Sequence, residues 1–140
     1  MNIGELLVNV ITVLLFYFFI SRTFTLRRLH WICRGIGLML LFVLITLLNL
    51  MNIAPTITCV SGLICQILYT MVFAEGSRGA RLLIGGIPAL LAVVSDSVTF
   101  SVLGILFQDT SEALTVNSAI RSQALVIYIL TYCLLIWAVI

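Results

Sequence analysis

The chain has 140 residues, of which 63% are hydrophobic and only 9% are charged. A soluble domain carries about 25% charged residues, so this composition excludes an ordinary soluble protein and indicates an integral membrane protein. The net charge is +2, and because the seven basic residues are spread over several connections, they form no patch for nucleic acid.

Five apolar runs follow one another along the chain and account for most of its length. Runs of about 18 or more apolar residues are typical of transmembrane helices, and backbone groups in lipid must be hydrogen-bonded within their own segment. The sequence therefore predicts an all-α, polytopic membrane helix bundle of about five transmembrane helices. The predicted helices cover residues 3–20, 35–51, 56–74, 82–107 and 119–140, with Asn49, Asn52 and Pro55 marking the second turn.

The connections between these helices differ sharply in charge. Six arginines fall in the first and third connections: Arg22, Arg27, Arg28, Arg34, Arg78 and Arg81. The second connection is uncharged, and the fourth is acidic, with only Arg121 beside it. Because basic residues accumulate on the cytoplasmic side, we predict a multi-pass protein of the cell membrane with its N-terminus outside and the end of the last helix inside.

Asp96 lies near the middle of the fourth apolar run. An aspartate at a helix centre costs roughly 2.5 to 3.5 kcal/mol on insertion, and such residues face protein or water and often carry function. Residues three and four apart share a helix face, so Asp96 continues a small, polar stripe formed by Gly85, Ala89, Ala92 and Thr99. We expect Asp96 to point at a neighbouring helix or a cavity.

Further polar residues occur in the outer halves of the first and fifth helices. Asn2, Glu5 and Asn9 share one face of the first helix, and Arg121 opens the fifth. Glu5 and Arg121 have opposite charges at similar depths, so we predict that they are close. Asp96 is roughly 16 Å below the outer end of its helix at 1.5 Å per residue, which is too deep for easy contact with Arg121. These residues either sense a ligand or hold helices together.

No catalytic or metal-binding motif accompanies these residues. HExxH, GxSxG, P-loop and paired acidic motifs are absent from the sequence, so we assign no catalytic residue and no cofactor. His30 is the single histidine and lies among arginines at a predicted membrane edge, which disfavours a histidine-based metal site. The four cysteines form no CxxC pair and are interpreted as small apolar residues. The chain itself is not expected to be an enzyme.

Four sequence elements follow one another in a recognisable order. They are the aromatic end of the first helix, Phe16-Tyr17-Phe18-Phe19, the loop from Phe73 to Arg78 followed by Arg81, the pair Ser95-Asp96, and the outer loop 107–118 with Glu112-Ala113-Leu114 and then Arg121. This order resembles the N-terminal transmembrane sensor domain of accessory-gene-regulator-type (GHKL) sensor histidine kinases of Gram-positive bacteria. The resemblance covers essentially the whole chain.

The resemblance implies a receptor in two-component signal transduction and quorum sensing. In that family a sixth membrane helix, a dimerisation helix with the phosphorylated histidine and an ATP-binding domain follow, so we expect residues 1–140 to be one sensor-like domain cut before them. His30 does not match the phosphoacceptor. The resemblance further implies an extracellular ligand, often a peptide, that binds at the outer surface, and a homodimer formed largely through the missing regions. Ser95 enters the candidate sensing residues as part of the Ser95-Asp96 pair.

Two other functions are compatible with the residues. Asp96 at mid-membrane could serve an ion or proton path in a small transporter or channel subunit, although the two halves of the chain show no inverted repeat. A scaffold that only packs with partner proteins is the third possibility. The effect of substituting Asp96 distinguishes the three functions. In a sensor the substitution would change the response to ligand, in a transporter it would change the flux, and in a scaffold it would lower assembly alone.

Overall fold

The computed structural model describes residues 3–26, 31–50, 55–107 and 118–140, and within these residues it contains five α-helices and no strand. Helices α1 to α5 span Ile3–Thr23, Trp31–Leu50, Pro55–Phe73, Arg78–Phe107 and Ser118–Val139. The predicted all-α bundle is confirmed. The main difference from the predicted boundaries is at the ends that carry arginines. There α1 continues to Thr23, α2 begins at Trp31 and α4 begins at Arg78, three or four residues beyond the predicted bounds. The hydrogen-bonded helix continues past its apolar portion at each of these ends.

Four of these helices, α1, α2, α4 and α5, are long and apolar enough to cross a membrane. The apolar part of α3, Ile57–Phe73, is shorter. The 19 residues of α3 nevertheless extend roughly 28 Å at 1.5 Å per residue, which is close to the roughly 30 Å hydrocarbon core of a bilayer. The described helices are those of a multi-pass membrane protein.

The five helices form a ring in chain order. Each helix packs against the next one, α5 closes the ring against α1, and α1 also reaches α4. Small residues permit a close approach between α3 and α4, because a Cβ at Gly85 would lie only 2.9 Å from Thr70 and one at Gly86 only 3.2 Å from Leu63. Glycines serve this purpose in membrane helices because they let two backbones come near each other.

Large buried side chains fill one half of the ring. Phe16, Ile20, Tyr69 and Tyr132 belong to this core, and the rings of Phe16 and Tyr69 meet edge to face at 5.4 Å between centroids. On α1 and α3 these residues lie towards the C-terminal ends of the helices. The core therefore occupies the half of the bundle near the first and third connections.

Those two basic connections meet at the same end of the bundle. Leu26 forms an isolated antiparallel bridge with Ala74, and the Glu75 amide donates a hydrogen bond of 2.9 Å to the Thr25 carbonyl. Gly76 follows with a φ of 141°, a conformation that favours glycine. This arrangement agrees with the prediction that both connections share one side of the membrane. Arg27, Arg28, His30 and the fourth connection, 108–117, lie outside the described residues.

Candidate functional site

A cleft of about 330 Å³ opens in the other half of the bundle, away from the contact between the two basic connections. Every helix contributes to its walls. Most lining side chains are apolar, and the polar ones are Asn9 and Thr12 of α1, Asn49 of α2, Thr58, Cys59 and Gln66 of α3, Asp96 and Thr99 of α4, and Tyr128 of α5. Its volume is within the range of about 300 to 1,000 Å³ that is typical of small-molecule sites.

Asp96 lies in the wall of this cleft, where the stripe on α4 faces the neighbouring helices. Ala89 and Thr99 on the same stripe are buried, whereas Leu90 and Val94 on the opposite side are exposed. Asp96 itself stays accessible from outside the bundle. Among the side chains that the structure describes, none forms an ion pair or a hydrogen bond with Asp96. The carboxylate is therefore available to a bound molecule.

Asn9 links α1 to α2 beside the cleft. The Asn49 side-chain amide donates a hydrogen bond of 3.0 Å to Asn9 Oδ1, and Asn9 Nδ2 donates one of 3.4 Å to Thr46 Oγ1. Asn49 was interpreted from sequence as a turn residue, yet it lies in the last turn of α2 and completes this network. Asn9 is thus both a helix-packing residue and part of the cleft wall.

Gln66 and Tyr128 belong to the cleft but were not among the residues predicted from sequence. Gln66 is 3% exposed, and its Oε1 has no hydrogen-bond partner among the described residues. Tyr128 is near Thr12 and within electrostatic range of Asp96. A glutamine inside an apolar run was the same kind of signal that drew attention to Asp96. Nothing in the sequence distinguished Tyr128 from other aromatic residues near a helix end.

Two other predicted site residues, Ser95 and Glu5, do not line the cleft with Asp96, and the side chain of a third lies outside the described part of the chain. Ser95 is buried, and its hydroxyl donates to the Leu91 carbonyl of its own helix at 2.8 Å, outside the cleft lining. Glu5 is half-buried near the start of α1. The Arg121 side chain lies outside the described residues, and so does the predicted approach of Glu5 and Arg121.

The chemistry that the cleft offers is recognition by charge and hydrogen bonding. The part of its lining that the structure describes presents one carboxylate, several amide and hydroxyl groups, and apolar walls. Within the described ranges, no group of three or more histidine, cysteine, aspartate or glutamate side chains is placed to hold a metal ion. These groups suit an organic molecule that combines an apolar body with a few polar atoms.

Comparison with models of known protein families, with curated proteins and with solved structures gave no match to this chain. The class that the fold and the site define is a polytopic helical membrane protein with a polar cleft between its helices. The resemblance to accessory-gene-regulator-type sensor domains therefore depends on the order of sequence elements alone.

Proposed function

We propose that the chain is the membrane-embedded sensor region of a two-component histidine kinase and that its signal binds in the cleft. The observation that carries this proposal is that all five helices contribute to one polar cleft. A molecule bound there touches every helix. A ligand shifts a conformational equilibrium when it binds one packing arrangement better than another, and a site shared by five helices favours such a difference.

The position of the cleft supports detection of an external signal. It lies in the half of the bundle opposite the connections that carry Arg22, Arg34, Arg78 and Arg81. Basic connections mark the cytoplasmic side, so the cleft belongs to the outer half of the membrane. An extracellular or membrane-dissolved ligand reaches it without crossing the buried core.

Helix α5 connects the cleft with the cytoplasmic side in this proposal. Tyr128 lines the cleft, whereas Tyr132 and Ile136, one and two turns further along, are fully buried in the core. A displacement of α5 at Tyr128 therefore has to repack these two side chains. Because packed interiors resist gradual deformation, such a displacement favours a switch between two arrangements of α5.

The reading frame beyond Ile140 tests the proposal. We expect a sixth membrane helix, then a helix with a phosphoacceptor histidine and an ATP-binding domain. A stop codon directly after Ile140 in the gene would contradict the assignment to a histidine kinase.

A transporter or channel subunit is the second candidate. The observation that favours it is Asp96, which lies in a membrane cleft and has no partner among the described side chains. Flux of protons or sodium ions into vesicles that contain the purified protein decides between the two. Uptake by the wild type that Asp96→Asn abolishes would replace the sensor proposal. We expect no flux above that of empty vesicles.

A further inference from the structure

We propose that the cleft binds a small organic cation, an amine on an apolar body, with its ammonium group between Asp96 and Gln66. The role of this cation as the sensed signal rests on the proposed function. Its binding does not, because it follows from the groups that line the cleft. Three observations lead to this ligand: a carboxylate and an amide oxygen that have no partner among the described residues, and the size and character of the remaining wall.

The described lining of the cleft carries a single charge. Asp96 is the one acidic residue among the lining side chains that the structure describes, and none of those side chains is basic. A carboxylate is costly at this depth in a membrane unless it is paired or hydrated. A ligand ammonium group would supply the missing partner, and hydrogen bonds between charged groups are stronger than those between neutral ones.

Gln66 provides an independent indication of a ligand. Its side chain is 97% buried, since its exposed fraction is 3%, and it lines the same cleft from α3. Its Oε1 has no hydrogen-bond partner among the described residues. Buried polar atoms are almost always paired in folded proteins, so the amide has hydrogen-bonding capacity that the described protein groups leave unused. An ammonium group has three donors and can serve both the amide and the carboxylate.

The remaining wall selects an organic rather than an inorganic cation. The volume of about 330 Å³ is in the range of small-molecule sites and is far more than a bare metal ion occupies. Leu63, Val93 and Leu103 supply apolar surface, and the rings of Phe100 and Tyr128 also line the cleft. Aromatic faces attract organic cations. The apolar body of the ligand would lie against these side chains.

Calorimetric titration of the purified chain in lipid nanodiscs tests the inference. The probe is phenethylamine, and its neutral control is 2-phenylethanol, which has the same ring and chain length but no charge. Empty nanodiscs measure partition into lipid. We expect the amine to bind at least tenfold more tightly than the alcohol. Asp96→Asn should remove this preference, whereas Glu75→Gln, which deletes one carboxylate at the opposite end of the bundle, should keep it.

Gln66→Leu is the second variant, and it remains informative if Asp96→Asn does not fold. Leucine keeps a similar size and removes an unpartnered buried group, so the variant should fold and bind the amine several-fold more weakly. Equal affinity of the wild type for amine and alcohol would overturn the inference. Unchanged amine binding by folded Asp96→Asn or by Gln66→Leu would also overturn it. A third contrary result would be that sodium chloride alone stabilises the wild type against heat but does not stabilise folded Asp96→Asn.

The failure of this inference and the failure of the proposed function are distinguishable. Amine binding by a protein whose gene stops after Ile140 would leave the cation site intact and remove the kinase sensor. A kinase domain in the reading frame, combined with no amine binding, would leave the sensor and remove the cation site.

Discussion

Arg81 illustrates how one side chain serves more than membrane topology. The sequence marked it as one of six cytoplasmic basic residues, but it is only 8% exposed. Its Nη1 donates hydrogen bonds to the Met71 carbonyl at 2.7 Å and the Ala74 carbonyl at 3.5 Å, at the C-terminal end of α3. The last carbonyls of a helix lack partners within the helix and attract cations, so Arg81 ties the end of α3 to the start of α4.

Replacing Arg81 by methionine should therefore destabilise the bundle. Methionine keeps an apolar stem but loses the donors, and hydrogen bonds to charged groups contribute about 1.5 to 3 kcal/mol. We expect the free energy of unfolding to fall by about that amount in a denaturation series in mild detergent. Arg78→Met is the matched control, because Arg78 is exposed and surface substitutions usually change stability by less than about 0.5 kcal/mol. Equal losses in both variants would refute the capping role.

Single residues also show where sequence reasoning stops. Asp96 and Gln66 were both visible as polar residues inside apolar runs, and a systematic search for such residues would have found the second as readily as the first. Tyr128 and Asn49 carried no such signal, because an aromatic residue near a helix end and an asparagine near a turn are common. Their place in the cleft follows from which helices become neighbours, which a local pattern does not contain.

At the scale of helices, the α3–α4 pair makes the most extensive contact among the described helices. Gly85 faces Thr70, and a Cβ at Gly85 would lie 2.9 Å from two atoms of that side chain. Thr70 is fully buried and its hydroxyl donates to the Gln66 carbonyl at 2.8 Å, which limits its freedom to move. The two helices are held at a distance that only glycine permits.

Gly85→Ala should separate these helices and destabilise the protein. Inserting a methyl group into a well-packed contact costs typically about 1 to 3 kcal/mol. Gly35→Ala in α2 is the matched control, because a Cβ there has no atom within 4 Å, and replacing a helical glycine by alanine gains roughly 0.5 to 1 kcal/mol. We expect the unfolding midpoint to fall for Gly85→Ala and to stay or rise for Gly35→Ala. The reverse order would contradict this packing.

The helices themselves were largely predictable from sequence, and the physical reason is the solvent. Lipid requires each spanning segment to satisfy its own backbone, so an apolar run of sufficient length becomes a helix whatever its neighbours are. The predicted start of α4 at residue 82 was late because Arg78 and Arg81 continue the helix beyond the apolar run. The order of helices around the ring depends on contacts such as Gly85 with Thr70, which hydropathy does not encode.

At the scale of the whole molecule, orientation in the membrane is the property on which the outer position of the cleft depends. Ser77 lies beside the joined basic connections, and Ile3 lies at the other end of α1. Single cysteines at these positions, in a background without the four native cysteines, report the side of the membrane. We expect an impermeant thiol reagent to label Ile3→Cys in intact cells and Ser77→Cys only after the membrane is opened. The reverse pattern would place the cleft on the cytoplasmic side.

We propose that the five-helix cleft with Asp96 receives the signal. This role is tested most directly by autophosphorylation of the full-length protein in membranes, measured with and without spent culture medium of the organism that carries the gene. We predict that the medium changes the rate in the wild type and in Glu75→Gln but leaves Asp96→Asn at its own unstimulated rate. An Asp96→Asn protein that responds to the medium as strongly as the wild type would contradict the claim.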